Sequence, residues 1–219
     1  MQIDPAESIF EQFARVADAL ASPSRLKLLD RLCQGEQTVE QLAEAAGLSI
    51  SNTSRQLRLL AERRLAAVRR DPPRVYYRVA SDDVVRFWFA LRELSRAQNA
   101  ELERVLRDFH AGAGNLVPMS RDELRERMTT GEVVLLDVRP SPEYRAGHIP
   151  GAVSIPLEEL SNHLASLPSD RVIVAYCRGP YCMLAVDAVR DLRARGFEAV
   201  RLEEGLPEWR AAGLPVQTN

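Results

Sequence analysis

The chain has 219 residues, of which 46% are hydrophobic and 27% charged, and its formal net charge is −2. This length and balance exclude a mini-domain and argue against a fully disordered chain, so we expect one large domain or two ordinary ones. No apolar run approaches the roughly 20 residues that a membrane helix needs, and the first residues lack the basic and apolar regions of a signal peptide. Three cysteines are too few for a disulfide framework. We therefore expect a soluble cytoplasmic protein with no membrane partner.

The first half of the chain is predicted to be mainly helical. Apolar periodicity and capping residues indicate four helices, over Ile9–Leu20, from Pro23 to Gly35, from Thr38 to Gly47, and from about Ser51 to Arg64. A tight Gly-Leu-Ser turn joins the last two of them. Helix, tight turn and helix together predict a helix-turn-helix.

Positive charge is concentrated beside this motif. Between Ser49 and Val79 the chain has eight arginines and only two acidic residues. By charge alone, this pattern fits a nucleic-acid surface or a solvated helix face equally well. Two β-type stretches, Ala66–Arg70 and Val75–Val79, then flank an Asp-Pro-Pro-Arg turn whose Arg74 suits a phosphate or minor-groove contact. A basic hairpin after a helix-turn-helix predicts a winged helix and favours the nucleic-acid interpretation.

One long helix is predicted from Ser81 to about Phe109. This helix has more apolar surface than a domain of this size can bury. We therefore expect it to pack, together with the first helix, against a second copy of the chain in a two-fold homodimer. The alternative is that this stripe folds back onto the second half of the chain. The glycine-bearing stretch 110–118 is a predicted linker, which divides the chain into domains 1–109 and 119–219.

The second half of the chain alternates between strands and helices. Strands are predicted at 133–138, near 153, at 172–177 and at 199–202, with helices at 157–164, 182–195 and from 206. Short, continuous apolar strands between helices indicate an α/β domain with a buried, mostly parallel sheet.

A loop with two cysteines is the candidate chemical site. Cys177 ends a buried strand and precedes a helix, which is where ligands bind in open α/β sheets. Backbone N–H groups of residues 178–183, the helix N-terminus and Arg178 are expected to favour its thiolate, the reactive form. The alternative is an inert, packed cysteine. Cys182 is a candidate exchange partner or a half-buried thiol, and Cys33 is expected to be a packing residue.

Residues 132–213 resemble a rhodanese domain. The matching segments are Leu136–Arg139, Glu143-Tyr144, Gly147–Ala152, Cys177–Cys182 and Gly205–Trp209. The resemblance implies that Cys177 carries a persulfide and that Asp137 and Arg139 brace the site. The remaining loop residues are Arg178, Gly179, Pro180, Tyr181, Cys182 and Met183. Many thiosulfate-using members have arginine at the last loop position, where this chain has Cys182. We therefore expect inefficient thiosulfate turnover, partly compensated by Arg178.

Residues 8–108 resemble the ArsR/SmtB winged-helix repressors. The matching segments are Leu20–Leu29, Leu42-Ala43, Gly47–Ser49, Leu57–Leu60 and Val75–Arg78. The resemblance implies dimerisation through the first and last helices, and operator reading by Ser51, Asn52, Ser54, Arg55 and Arg58. With the hairpin arginines Arg69, Arg70 and Arg74, these are the candidate DNA-binding residues. Thr38 and Glu40 stand where metal sensors carry cysteines, and the last helix offers only His110, so we expect neither metal nor cofactor.

The whole architecture resembles ArsR-type regulators fused to a rhodanese domain. The leading hypothesis is a repressor that binds double-stranded operator DNA and senses a small sulfur donor (polysulfide, persulfide or thiosulfate) through persulfidation of Cys177 or bridging with Cys182. One alternative is a rhodanese-type sulfurtransferase, with a Cys177 persulfide and an accessory DNA-binding domain. Another is a regulator that senses an oxyanion.

Overall fold

The computed structural model describes residues 5–111 and 117–218, so the predicted linker at 110–118 lies largely outside the described residues. The chain forms two compact units, Met1–Leu91 and Arg92–Asn219. Residues 92–111, which the sequence assigns to the first domain, thus group with the second unit. None of the helices in the described ranges has the length and apolar character needed to cross a membrane.

Four helices open the first unit: α1 (Pro5–Leu20), α2 (Pro23–Leu32), α3 (Val39–Ala46) and α4 (Ile50–Glu62). The capping box predicted at the start of α3 is confirmed, because Thr38 Oγ1 accepts from the Gln41 amide at 3.3 Å and Gln41 Oε1 accepts from the Thr38 amide at 2.9 Å. Gly47, with φ of 65°, ends α3 in the left-handed region. Ser49 then caps α4 by accepting from the Asn52 amide. These local signals produce the predicted helix-turn-helix.

The wing is a three-stranded antiparallel sheet. Its strands are β1 (Gln37–Thr38), β2 (Ala66–Asp71) and β3 (Arg74–Val79), in the order β1-β3-β2. The two-residue strand β1 has no sequence signal, because a segment this short shows no periodicity. Leu28, Leu42, Leu57 and Tyr77 lie in the buried core of this unit. Cys33 is also buried.

The prediction of a single long helix from Ser81 to Phe109 is wrong. The structure has α5 (Asp82–Gln98) and α6 (Ala100–Ala111), separated at Asn99. Asn99 Oδ1 accepts from the amides of Glu101 and Leu102 at 3.1 and 3.2 Å. An asparagine side chain that binds the amides ahead of it starts a new helix, and the apolar periodicity does not reveal this break.

The second unit continues with a sheet and its covering helices. In chain order these are α7 (Arg121–Thr130), β4 (Val133–Asp137), α8 (Ser141–Ala146), β5 (Val153–Ser154), α9 (Leu160–His163), β6 (Val172–Tyr176), α10 (Leu184–Ala194), β7 (Ala199–Arg201) and α11 (Leu206–Ala211). The strand order is β5-β4-β6-β7, and all four are parallel. The helix predicted at 157–164 consists of α9 flanked by 3₁₀ turns. The structure confirms both predicted fold classes, a winged helix-turn-helix in the first half of the chain and an α/β domain with a parallel sheet in the second.

Parallel pairing brings the carboxyl ends of the strands to one edge. Leu136 and Ala175 belong to one buried cluster of the sheet, while Leu135 and Val174 belong to another. Burial of alternate residues in two clusters explains the continuous apolar runs in the sequence. Asp137, Tyr176 and Arg201 end β4, β6 and β7, so the functional residues of this unit are expected at that edge.

Candidate functional site

The cysteine loop, residues 177–182, connects β6 to α10 at this edge. Cys177 is 3% exposed, whereas Cys182 is partly exposed, and both are free thiols. The Cys182 amide donates to the Gly179 carbonyl at 3.2 Å, which closes the loop. The structure therefore places both cysteines on one tight turn, as the sequence predicts.

The two sulfurs lie close to several backbone groups. Cys177 Sγ lies 3.5 Å from the Cys182 carbonyl oxygen and 4.0 Å from the Gly179 carbonyl oxygen. The amides of Gly179 and Ala185 are directed at Cys177, while those of Arg178 and Leu184 are directed at Cys182. The sequence predicted that this helix begins at Cys182, whereas in the structure α10 begins at Leu184. Helix-start amides that have no partner within the helix instead contact the sulfurs.

The pKa values of the two cysteines shift in opposite directions. Burial raises the pKa of the Cys177 thiol well above its usual range, and the hydrogen bond and charge of Cys182 raise it further. The hydrogen bond from Cys177 lowers the pKa of Cys182 to about 6, with help from the backbone amides and Arg178 and against burial. The expectation that the loop favours the thiolate of Cys177 is therefore wrong, because the pKa of Cys177 is raised while that of Cys182 is lowered.

Arg178 is held by a carboxylate rather than directed at Cys177. Its Nη2 and Nε donate to Glu143 Oε1 at 2.6 and 3.0 Å, and both side chains are largely buried. Glu143, from the start of α8, appears in the sequence only as part of the rhodanese-like motif. Because this ion pair neutralises the guanidinium, the positive charge of Arg178 reaches the sulfurs only weakly.

The predicted bracing residues form a buried network behind the loop. Arg139 donates to the Asp137 carboxylate at 2.6 Å and to the Gly147 carbonyl at 2.8 Å, and neither side chain of the ion pair is exposed. Tyr176 Oη donates to Asp137 at 2.5 Å and accepts from the Ile149 amide. These bonds tie β4 to β6 immediately before Cys177. The network touches the strand that carries the sulfur and does not touch the sulfur itself.

Two glycines allow the loop to pack against the start of α11. A Cβ at Gly205 would lie 2.5 Å from the backbone of Arg178 and Gly179, so only glycine fits there. A Cβ at Gly179, whose φ is 134°, would lie 3.2 Å from the Glu208 carboxylate. Glu208 also accepts from the Gly205 amide at 3.0 Å. The closing motif of the sequence thus forms a surface that supports the loop.

Arg92, on α5, contacts the cysteine loop and the residues that support it. The sequence pattern did not predict these contacts. Within the second unit, Arg92 Nη1 donates to Glu208 Oε1 at 2.7 Å, and its guanidinium lies 4.6 Å from the centre of the Tyr181 ring. Both charged side chains of this ion pair are mostly buried. Arg92 therefore contacts the loop directly through Tyr181 and indirectly through Glu208.

Most candidate DNA-binding residues lie on accessible surface of the first unit. On α4, Ser51, Arg55 and Arg58 are exposed, whereas Asn52 and Ser54 are partly exposed. Asn52 Oδ1 accepts from Arg55 and from Gln56. Leu57 and Leu60 point into the core. The structure thus separates an apolar face from a polar face on α4.

The hairpin arginines have different surroundings. Arg69 is bound by Glu36 at 2.6 Å and by Asp71 at 3.2 Å, and it lies over the Tyr76 ring. Arg70 and Arg74 are exposed, and the ion pairs found among the described residues do not include them. Arg70 and Arg74 are thus better placed than Arg69 to meet a phosphate. In the described ranges no cluster of three or more histidine, cysteine or acidic side chains is arranged to hold a metal.

Comparison with known proteins identifies both units. Residues 22–68 match the family described as "Bacterial regulatory protein, arsR family", and residues 120–212 match "Rhodanese-like domain". The chain is 45% identical to the HTH-type transcriptional regulator Rv0324 of Mycobacterium tuberculosis over 98% of this chain and 94% of that protein. It is 31% identical to a sulfurtransferase of Allochromatium vinosum over 43% of this chain and 89% of that protein.

A similar solved structure is the homodimeric winged helix-turn-helix DNA-binding domain of Mb0332 from Mycobacterium bovis. It is 36% identical, covers 46% of this chain and 94% of that domain, and has a TM-score of 0.43. The full-length relative shows the family. The chain belongs to the ArsR family of bacterial transcriptional regulators, in a form with a C-terminal rhodanese-like domain, as the resemblance in the sequence implies.

Proposed function

We propose that this regulator binds operator DNA as a homodimer and that reactive sulfur species change its affinity by modifying the cysteine loop. The observations that carry this proposal are two free thiols, Cys177 and Cys182, on one tight turn, and a pKa of Cys182 lowered to about 6. Two thiols on one turn, one of which ionises near neutral pH, suit thiol–disulfide exchange.

The proposed DNA surface is the exposed face of α4 together with the wing. Ser51, Arg55 and Arg58 on this face suit contacts with base edges and phosphates in a major groove, and Arg70 and Arg74 suit the adjacent backbone. These roles are supported by exposure and by the ArsR-family match over residues 22–68.

The proposed dimer surface is the apolar stripe of α1. Ile9, Phe10, Phe13 and Val16 are 54%, 70%, 64% and 41% exposed. Four large apolar side chains on one helix face are costly to leave in water. A second copy of the chain would cover them. It would also provide the second helix-turn-helix that a two-fold symmetric operator needs for its other half-site.

The proposed chemistry has two balanced steps. As Cys177 Sγ attacks the outer sulfur of a hydropersulfide donor, its proton passes to the Cys182 thiolate, a Cys177 persulfide forms and the donor leaves as its thiolate. Cys182, once it has lost that proton again, then attacks the inner sulfur of the persulfide, so that a Cys177–Cys182 disulfide forms and hydrosulfide leaves. The sulfane sulfur of the donor is the oxidant, and both thiols are oxidised.

The proposed route to the DNA-binding unit runs along α5. The loop residue Tyr181 and the supporting Glu208 both contact Arg92. Earlier residues of the same helix, Val84 and Trp88, pack against the core of the first unit. A bridged loop moves Tyr181, and Arg92 passes this change to a helix that is part of the winged-helix core.

The test is operator affinity before and after sulfur loading. An operator is first selected from a random duplex pool with the reduced protein, and its affinity is then measured at fixed salt before and after polysulfide treatment. Intact-mass spectrometry confirms the loading. A change of about 5- to 150-fold, the usual size of allosteric coupling, is expected. Unchanged affinity at complete loading would refute the proposal.

Replacing Arg92 by glutamine is expected to uncouple operator affinity from sulfur loading of the cysteine loop. The variant should still load sulfur at a rate within about twofold of the wild type, because Arg92 does not contact either sulfur. Its operator affinity should respond much less to loading, since the link from Tyr181 to α5 is lost. Arg86→Gln is the matched control, because Arg86 lies on α5 but pairs with the exposed Asp83. Full coupling in the Arg92 variant would contradict the proposed route.

A further inference from the structure

A cavity of about 420 Å³ opens beside the cysteine loop within the second unit. Pro180 and Tyr181 of the loop form part of its wall, and Arg96, Arg107 and Arg201 contribute positive charge. Glu103, which also lines the cavity, is engaged by Arg96 at 3.0 Å. The remaining charge in the wall comes from Arg107, Arg201 and Glu203, so the cavity suits a small anion.

Arg201 lies on the same edge and the same face of the sheet as Cys177. It ends β7 and is paired in register with Ala175 of β6, two residues before Cys177. Side chains two residues apart in a strand lie on one face. The strand register therefore places the Arg201 side chain on the sulfur-bearing face, beside the carboxyl end of β6.

The guanidinium of Arg201 is half-buried, and the ion pairs found among the described residues do not include it. Its Nη1 makes a long contact of 3.4 Å with the adjacent Leu202 carbonyl. Burial lowers the pKa of Arg201, and the nearby Glu203 carboxylate opposes that effect. A partly desolvated cation without a counter-ion is costly, and a bound anion would relieve the cost.

We propose that this cavity binds anionic sulfur donors and that Arg201 holds their negatively charged end while the sulfane sulfur meets the loop. Arg201 then supplies the cation that the loop lacks, because Cys182 replaces the arginine of the related loops and Arg178 is neutralised by Glu143. The inference rests on the proposed function only in that the loop accepts sulfane sulfur. With thiosulfate, the Cys177 proton passes to Cys182, a Cys177 persulfide forms and sulfite leaves.

The kinetic test compares an anionic with a neutral donor on the full-length protein. Thiosulfate and diallyl trisulfide are the two probes, and cyanide-releasable sulfur measures loading. Arg201→Gln is expected to slow loading from thiosulfate by about tenfold to a hundredfold, the usual range for one charge-assisted hydrogen bond, and to leave loading from the trisulfide within about twofold. Arg201→Lys should retain most of the thiosulfate rate. Arg195→Gln is the control, because Arg195 is exposed at the far end of α10.

A binding measurement separates this inference from the proposed function. Thiosulfate is titrated calorimetrically, at fixed ionic strength, into the full chain carrying both Cys177→Ser and Cys182→Ser, with and without Arg201→Gln. Saturable binding that Arg201→Gln removes supports the anion site, even if sulfur loading leaves operator affinity unchanged. Absent binding, binding that survives Arg201→Gln, or equal slowing with both donors would overturn the inference and leave the operator response intact.

Discussion

Replacing Cys182 by serine is expected to slow sulfur loading of Cys177 at pH 7 by about tenfold to a hundredfold. In the wild type the thiolate of the pair forms as the pH rises through about 6, so the base that receives the Cys177 proton is present at neutral pH. In the variant, burial still raises the pKa of Cys177, and no neighbouring thiolate accepts its proton at pH 7. The higher intrinsic nucleophilicity of a high-pKa thiolate offsets part of this loss.

The pH profile is the decisive readout for this variant. Wild-type loading should rise with a midpoint near pH 6 and then level off, whereas loading of the Cys182→Ser protein should rise only at higher pH, as the buried Cys177 ionises. Rates are measured by intact-mass spectrometry with a hydropersulfide donor. Cys33→Ala, which also removes one buried thiol but leaves the loop intact, should keep the wild-type profile. Coincident profiles for the wild type and Cys182→Ser would contradict the assignment of the thiolate to Cys182.

Replacing Arg139 by leucine is expected to lower the free energy of unfolding of the second unit by about 3–5 kcal/mol. Arg139 and Asp137 are both fully buried, so the substitution leaves the Asp137 carboxylate uncompensated in the interior. The Gly147 carbonyl also loses a donor. Urea unfolding is followed through the fluorescence of the buried Trp209, in a Trp88→Phe background that removes the other tryptophan.

The control for this substitution is Arg195→Leu. Arg195 is exposed, and its guanidinium donates to the Asp191 carbonyl on the surface of α10, so its replacement should change the unfolding free energy by less than about 0.5 kcal/mol. Equal, small effects of the two substitutions would mean that the buried pair contributes little. Asp137 and Arg139 would then have no bracing role in the unit that carries the loop.

Local sequence signals predicted most of the fold. The capping box at Thr38, the Gly47 turn and the apolar runs of β4 and β6 act over a few residues, so the chain shows them directly. The break at Asn99 was missed because a capping asparagine inside an apolar periodic stretch changes little in the pattern. The division at Leu91 depends on contacts distant in sequence, which no periodicity contains.

The position of the cysteine loop was predicted, but the directions of the pKa shifts of its two cysteines were not. Cys177 and Cys182 were located from the strand, loop and helix order, which is local information. The thiolate was assigned to Cys177 because the adjacent amides and Arg178 all favour it locally. Burial instead raises the pKa of Cys177, and Arg178 forms an ion pair with Glu143. Both effects arise from tertiary packing. The contacts of Arg92 and the position of Arg201 beside the loop were missed for the same reason.

Operator affinity of the wild type and of Cys177→Ser, each before and after polysulfide treatment at fixed salt, tests the central claim most directly. We expect equal affinities for the two reduced proteins, because Cys177 lies in the second unit and the proposed DNA surface lies in the first. After treatment, the affinity of the wild type should change by about 5- to 150-fold while that of Cys177→Ser stays constant. An equal response of both proteins, or a response of neither at complete loading of the wild type, would contradict a sulfur switch at this loop.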